Sequence, residues 1–240
     1  MKIIGLEETD STNNYAKINI DTLADRTVIH AKRQTSGRGR LNRKWVDLGE
    51  GNLFMSLVLK PSNSFNEIYP NITQYLSVVL CNVLEFYGVK PQIKWPNDVL
   101  IDGKKIAGIL SETVMQGSQF KGLVLGIGVN LNAKQADVDS IPDKIVTSLN
   151  LELKTDINLE EFRNKLTDKF FKNYDKFLEN GFVMIKNEYI NRNCFLNKEL
   201  NVQLFNNIES GFAKGITDNG ALILQNANNE ELVLTIGDIL

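Results

Sequence analysis

A chain of 240 residues with 42% hydrophobic and 23% charged residues and a formal net charge of −2 has the make-up of a globular protein with one sizeable core, or a large domain and a small one. The slight acidity argues against a dedicated nucleic-acid binder, although residues 32–44 form a local basic cluster. Its two cysteines, Cys81 and Cys194, lie too far apart in sequence to suggest a disulfide framework or a metal spacing; no run reaches membrane-spanning length and the first residues lack an apolar signal core, so the cytoplasm is the expected location.

Asp10 or Ser11 is placed to cap a first helix reaching about Leu23. Residues 27–33 alternate and are β-branched, as in a strand. Residues 34–51 hold four glycines, many charges and little apolar pattern, which predicts a long, mobile loop of a functional kind. Residues 52–60 read as a central strand. Ile72, Leu76, Val79, Leu80, Val83 and Leu84 recur at helical spacing, and Gly88 ends that helix. Cys81 falls inside it and reads as a small buried hydrophobe. A hairpin follows within residues 94–112, then a strand at 120–130. An amphipathic helix at 159–178 carries Phe162, Leu166, Phe170 and Tyr174 on one face, and a short helix spans 182–191. From about Asn193 the pattern changes to short strands at 200–205, 211–217, 221–225 and 231–236, separated by Asn, Gly and Asp turns, which suggests a small barrel. The expected architecture is α+β: a mixed, mainly antiparallel sheet with flanking helices over residues 1–192, then the barrel over 193–240. His30, the only histidine, sits in a strand pattern and reads as structural.

The hairpin, KWPNDVLIDGKKIAGILSE, carries the most chemistry. Asp102-Gly103 is a two-residue type I′ turn, so the register should place Ile101 opposite Lys104, Leu100 opposite Lys105 and Asp98 opposite Ala107. Asp98 and Lys105 then project from one face with Leu100 beside them. Pro96 should break the ladder just before the acid. Taken alone, this pair is also what an ordinary solvent-exposed ion pair would look like.

Lys94-Trp95-Pro96-Asn97-Asp98 followed by Lys105-Ile106-Ala107-Gly108-Ile109-Leu110 resembles the central signature of biotin–protein ligases. Three further blocks agree in order and spacing: Asp10-Ser11-Thr12-Asn13; Gln34-Thr35-Ser36-Gly37-Arg38-Gly39-Arg40 with Asn42-Arg43-Lys44-Trp45; and Gly126-Ile127-Gly128-Val129-Asn130-Leu131-Asn132. The C-terminal tail resembles the family's small end domain. The resemblance implies an α/β catalytic domain followed by an SH3-like barrel. It also implies two steps: biotin's carboxylate attacks the α-phosphate of ATP to give biotinyl-5′-adenylate and pyrophosphate, and a lysine amine of a carboxylase's biotin-carrier domain then attacks the adenylate.

Carried over by resemblance, Lys105, Arg38 and Asp98 are catalytic. Lys105 contacts biotin and the reacting oxygens, and Asp98 orients or deprotonates the incoming amine. Ser11, Thr12, Asn13, Gln34, Gly37, Arg38, Gly39 and Arg40 join Lys105 around biotin. The small and neutral polar groups suit a ureido ring, and the glycines and arginines suit phosphate and carboxylate. Arg40, Trp45, Asn97 and Asn130 are expected at the nucleotide. Residue by residue, plainer roles compete: Ser11 and Thr12 as helix caps, Gln34 as a surface amide, Trp45 as core, Asn130 as a turn residue. ATP and biotin are the implied substrates, Mg²⁺ comes with ATP on phosphates and water, and no protein metal ligand is assigned. Some family members carry Arg-Gly where Leu41-Asn42 stand here. The first block begins within ten residues of Met1, so the form without an N-terminal DNA-binding domain, and no direct operator binding, is expected. A homodimer through exposed sheet edges is left open. The alternatives are a lipoate–protein ligase, which would show Arg-Arg before a glycine-rich stretch and a His-Asp motif, and a non-enzymatic nucleotide- or RNA-binding module using the basic loop and the barrel.

Overall fold

The computed structural model describes residues 2–240 except 63 and 142–144. In chain order the elements are β1 (Ile3–Thr9), α1 (Thr12–Ile18), β2 (Thr27–Gln34), β3 (Leu53–Leu59), α2 (Ile72–Phe86), β4 (Pro91–Lys94), β5 (Asp98–Ile101), β6 (Lys104–Gln116), β7 (Gln119–Val129), α3 (Gln135–Asp139), α4 (Leu149–Leu153), α5 (Leu159–Asn180), α6 (Lys186–Asn191), β8 (Glu199–Gln203), β9 (Ile208–Ile216), β10 (Leu222–Gln225), β11 (Glu231–Leu234) and β12 (Asp238–Ile239).

Among the described residues, seven strands make one sheet in the order β1-β2-β3-β7-β6-β5-β4. The β1–β2 pair is parallel and the other pairs are antiparallel. Alternation decides which side chains go where. Val28, Leu57, Leu123 and Leu125 point into the main core, which α2 and α5 cover, while Ile29, Val58 and Val124 point the other way into a smaller cluster with Ala16 of α1. With helices on both faces, β3 is buried along its whole length. Helix α2 is sandwiched between sheet and α5, and the Tyr75 ring stacks on Phe177 with centroids 4.5 Å apart. Helix α5 starts where the Asn158 side chain accepts the Glu161 N–H at 3.0 Å and ends at Gly181, whose φ of 64° suits glycine.

The remaining strands form an antiparallel sheet of five, in the order β11-β10-β9-β8-β12, with no ladder between β11 and β12 among the described residues. Its Asp218-Asn219-Gly220 turn docks on the larger sheet's helical side. The Gly220 carbonyl accepts from Gln74 Nε2 at 2.9 Å and from Trp95 Nε1 at 3.1 Å, and Asn71 Nδ2 donates to the Asn219 carbonyl at 2.9 Å.

Several boundaries differ from expectation. Helix α1 stops at Ile18 because the Asn19 amide turns back to the Tyr15 carbonyl at 2.8 Å and caps it. The segment expected as a short helix at 182–191 divides into a 3₁₀ turn, Gly181–Met184, and α6. Strands β1, β4 and β12 and helices α3 and α4 were not anticipated. Among the described residues no helix is long and apolar enough to cross a membrane.

Candidate active site

Three glycines clear a floor on the α1 face of the sheet. Gly108 of β6 pairs with Gly128 of β7, and Gly126 lies two residues back along β7. A Cβ on Gly126 would overlap Asn13 Oδ1, one on Gly128 would overlap the Trp45 indole, and one on Gly108 would come within 2.9 Å of Trp45 Cζ3. Above this floor opens a cavity of about 610 Å³, a size suited to a small-molecule site. Ser11, Thr12, Asn13, Gln34, Arg38, Gly39, Arg40, Trp45, Asn97, Asp98, Lys105 and Asn130 all line it. The site therefore runs along β7, from Asn13 at Gly126, past Trp45 at Gly128, to Asn130 at the strand's end.

Lys105 Nζ and Asp98 Oδ1 form an ion pair at 2.7 Å, half-buried on both sides. The expected register is right at Leu100–Lys105 and Ile101–Lys104 but shifts beyond them, so Asp98 faces Gly108 and not Ala107. The cause is a β-bulge that leaves Ile106 without a partner on β5. The bulge has a chemical consequence. Lys105 and Gly108 are three residues apart and would face opposite ways on a regular strand, yet here both face the cavity. The Ile106 carbonyl accepts the Asn130 N–H at 2.9 Å, which ties the far end of the site to the same irregularity. Lys105 Nζ also lies 5.6 Å from the Trp45 ring centroid.

The opposite end is polar and buried. Ser11 occupies the N-cap position of α1, but its hydroxyl makes no capping bond, and Asp10 Oδ1 accepts the Ser11 N–H instead at 2.7 Å. Gln34 Oε1 accepts the Thr12 N–H at 2.8 Å. Behind them, Ser56 Oγ lies 2.7 Å from Thr12 Oγ1 and 2.6 Å from Asn13 Oδ1. Asn13 Nδ2 donates to Glu112 Oε2 at 2.9 Å. Burial pushes the Glu112 carboxyl up, but hydrogen bonds from Lys17 and Asn13 and the Lys17 and Arg38 charges outweigh it and hold the group below its ordinary range. Ser56 and Glu112 were not among the expected site residues. A lone serine inside the wholly buried strand LFMSLVL was a usable signal for the first, and Glu112 closes the hairpin block itself.

The glycine-arginine loop is better anchored than its composition suggests. Arg38 and Lys44 form an isolated antiparallel bridge, the Trp45 N–H reaches the Gly37 carbonyl at 3.0 Å, and Leu48 is buried. Gly37 itself does not line the main cavity. It borders a neighbouring hollow of about 330 Å³ with Asp10, Arg38 and Lys44, and a side chain there would strike the Trp45 carbonyl at 2.6 Å. Arg38 Nη1 is 3.5 Å from Glu112 Oε1. Arg40 and Arg43 reach across to Asp238 of β12 at 3.5 and 3.2 Å, so the small sheet holds the loop from one side. Burial lowers the Arg40 pKa against the opposing charges of Asp238 and Asp98. Trp45 Nε1 is buried without a hydrogen-bond partner among the described residues.

Asn97 and Asn130 both have structural work. Asn97 Nδ2 donates to the Ile109 carbonyl at 2.6 Å, and Asn130 Nδ2 to the Thr147 carbonyl at 2.9 Å. The stretch carrying Thr147 was not foreseen as part of the site. Val146 bridges to Lys105, with the Lys105 N–H on the Ile145 carbonyl and the Thr147 N–H on the Lys105 carbonyl, both at 2.9 Å. Ile141, Ile145 and Val146 thereby add an apolar wall to the cavity. Among the described residues no group of three or more His, Cys, Asp or Glu is placed to hold a metal ion.

Residues 5–130 match the biotin/lipoate A/B protein ligase family. The chain belongs to this family. Residues 195–240 match the biotin protein ligase C terminal domain. Among characterised relatives, the biotin--[acetyl-CoA-carboxylase] ligase of Paracoccus denitrificans is 30% identical over 233 residues, 95% of this chain and 96% of that protein. The bifunctional ligase/repressor BirA of Bacillus subtilis is 32% identical over 200 residues, 83% of this chain, and the match spans 61% of that protein's length. Among solved structures, the biotin protein ligase from Aquifex aeolicus in complex with biotin and ATP is similar with a TM-score of 0.83 and 27% identity, covering 100% of this chain and 97% of that one. The fold of this family member is thus that of biotin protein ligases.

Proposed function

We propose that the chain is an ATP-dependent biotin–protein ligase that makes biotinyl-5′-adenylate and transfers biotin to a lysine of a carboxylase's biotin-carrier domain. The observation that carries this reading is the buried polar end of the cavity. Ser11, Thr12, Asn13 and Gln34 converge there, and the Thr12 and Gln34 oxygens are suited to receive donors. Biotin's ureido ring supplies two N–H donors and a carbonyl. A lipoyl ring supplies neither, so burying it against these groups would leave them unpaired, which is costly. The polar end therefore favours biotin over lipoate within the family.

The order of groups along β7 then suits the chemistry. With the ureido ring at Gly126, the carboxylate of the acyl chain points toward Lys105, and the nucleotide, entering as its Mg²⁺ complex, extends toward Trp45 and Asn130. Attack of a carboxylate oxygen on the α-phosphorus forms a C–O–P bond and expels pyrophosphate. The barrier is largely repulsion between anions, so the Lys105 ammonium and the Arg38 and Arg40 guanidinium groups act by cancelling charge in a site screened from water. Asp98, fixed by Lys105, is the acceptor available to the incoming lysine. When that amine attacks the acyl carbon, an amide forms, AMP leaves and one proton must be taken up. The catalytic unit spans residues 1–192 and the end domain 193–240, and the setting is the cytoplasm.

The test is parallel incubation with biotin or with lipoate, each with ATP, Mg²⁺ and a purified biotin-carrier domain, followed by mass spectrometry. The expected result is one biotinyl addition on one lysine, dependent on ATP. A carrier domain modified with lipoate and not with biotin would overturn the assignment.

A further inference from the structure

We propose that Ser56 and Glu112, neither of which lines the cavity, fix the hydrogen-bond polarity of its buried end, so that the site accepts an N–H beside Thr12 and rejects a hydrogen-bond acceptor there. The inference rests on the biotin reading above and deepens it.

The number of available protons decides the polarity. Three oxygen–oxygen contacts form a row: Asn13 Oδ1 to Ser56 Oγ at 2.6 Å, Ser56 Oγ to Thr12 Oγ1 at 2.7 Å, and Thr12 Oγ1 to Gln34 Oε1 at 3.2 Å. Only two hydroxyl protons are available to fill them, one on Ser56 and one on Thr12. Glu112 settles the first. Its carboxylate faces Asn13 Nδ2 at 2.9 Å, with the Leu110 carbonyl also on that side at 3.4 Å. A flipped amide would set oxygen against both. Asn13 Oδ1 therefore faces Ser56 as a pure acceptor, and the Ser56 proton must go to it.

The second proton follows. Ser56 has nothing left to donate, so its 2.7 Å contact with Thr12 is filled by the Thr12 hydroxyl, in preference to the longer 3.2 Å contact. Gln34 Oε1 is held as an acceptor by the Thr12 N–H at 2.8 Å. The outcome is two acceptor oxygens side by side at the cavity, Thr12 Oγ1 and Gln34 Oε1, with no proton between them. Such a notch is complementary to an N–H and repels a lone pair. Lys17, at 2.6 Å from Glu112, keeps the carboxylate ionised and the chain of polarity fixed from outside the site. Ser56 is fully buried, so no solvent relaxes the arrangement.

Ser56 and Glu112 are positioning residues, and the test is a cycle between protein and ligand. Calorimetry would compare biotin with cyclic-carbamate analogues in which a ring oxygen replaces one or the other ureido N–H, on the wild type, Ser56→Ala and Glu112→Gln. The wild type should reject one regioisomer by roughly 100-fold or more, as sites built to hydrogen-bond a donor do. In Ser56→Ala the Thr12 hydroxyl is free to turn and donate, so this discrimination should shrink by about 10-fold while biotin itself weakens less. Glu112→Gln, which keeps the shape and frees the Asn13 amide to flip, should shrink it too, and it serves if Ser56→Ala does not fold. Variants that weaken biotin and analogue equally, leaving the ratio unchanged, would show a merely structural role and overturn the proposal. A folded wild type that binds neither ligand would instead overturn the biotin reading, and the proposal with it.

Discussion

Lys105 illustrates how one side chain is aimed by its backbone. The bulge at Ile106 turns it onto the glycine floor, and Asp98 holds it at 2.7 Å. Truncation should disturb the core little, because the side chain is partly exposed. Lys105→Ala should therefore cut pyrophosphate release by about 10²–10³-fold, the range for losing one charge-stabilising donor, with melting temperature close to wild type. Near wild-type turnover by the folded variant would remove Lys105 from the chemistry. His30 makes a different test. Its pKa is lowered first by burial and then by the Arg163 guanidinium, whose Nη1 lies 2.8 Å from its Nε2. The unfolded chain then binds the extra proton at higher pH than the folded one. Stability should fall as pH drops through the ordinary histidine value, about 6.5, and keep falling until the lower folded value is passed. Melting curves between about pH 7 and pH 5 should show this slope in wild type and a flatter one in His30→Asn. An equal slope in both would contradict it. The Asp98–Lys105 pairing was legible in the sequence because a two-residue turn sets a register. The bulge was not, since an unpaired Ile106 looks like any other apolar residue on the strand. Ser56 and Glu112 were missed because their roles are defined by partners more than forty residues away, at Thr12 and Asn13.

The loop over residues 34–51 shows the same divide among elements. Its glycines and arginines made the loop itself readable. Its anchors were not, because Trp45 lies on glycines of β6 and β7, Leu48 packs with Ala133 and Val138, and Arg40 and Arg43 reach β12. Each contact is long-range and leaves no periodic trace. Strands β1 and β4 were missed for a related reason: both are edge strands, and the residues of β1 are exposed or half-buried on both faces, which blurs alternation. The floor gives a prediction on this scale. Gly128→Ala would drive a methyl group into the Trp45 ring, which must then leave the floor. The overlap should cost about 1–3 kcal/mol and shift the intrinsic fluorescence, to which the only other tryptophan, the buried Trp95, gives a constant background. A spectrum and stability matching wild type would mean that Trp45 does not rest there in solution.

At the scale of the whole molecule, the small sheet is a working part of the site. Its Gly220 turn is bolted to α2 and Trp95, and Asp238 at its last strand meets the arginines of the loop. The α+β plan could be read from hydrophobic spacing, whereas this joint between the sheets could not, because a turn sequence does not name its receptor. Gly220 has a φ of 80°, and a Cβ there would come within 2.5 Å of Gln74 Oε1 and 2.6 Å of Asn71 Nδ2. Gly220→Ala should therefore cost about 2 kcal/mol or more, from left-handed strain plus two displaced buried amides, and lower the melting temperature. An unchanged melting temperature would mean that the docked turn contributes nothing.

The central claim is that this cavity joins biotin to the α-phosphate of ATP. Pyrophosphate release from ATP, followed with biotin, with lipoate and with no acid present, addresses it most directly. Release should require biotin and Mg²⁺, stay at background with lipoate, and fall by about 10²–10³-fold in Lys105→Ala. Release that proceeds equally without biotin, or none at all from the folded wild type, would contradict it.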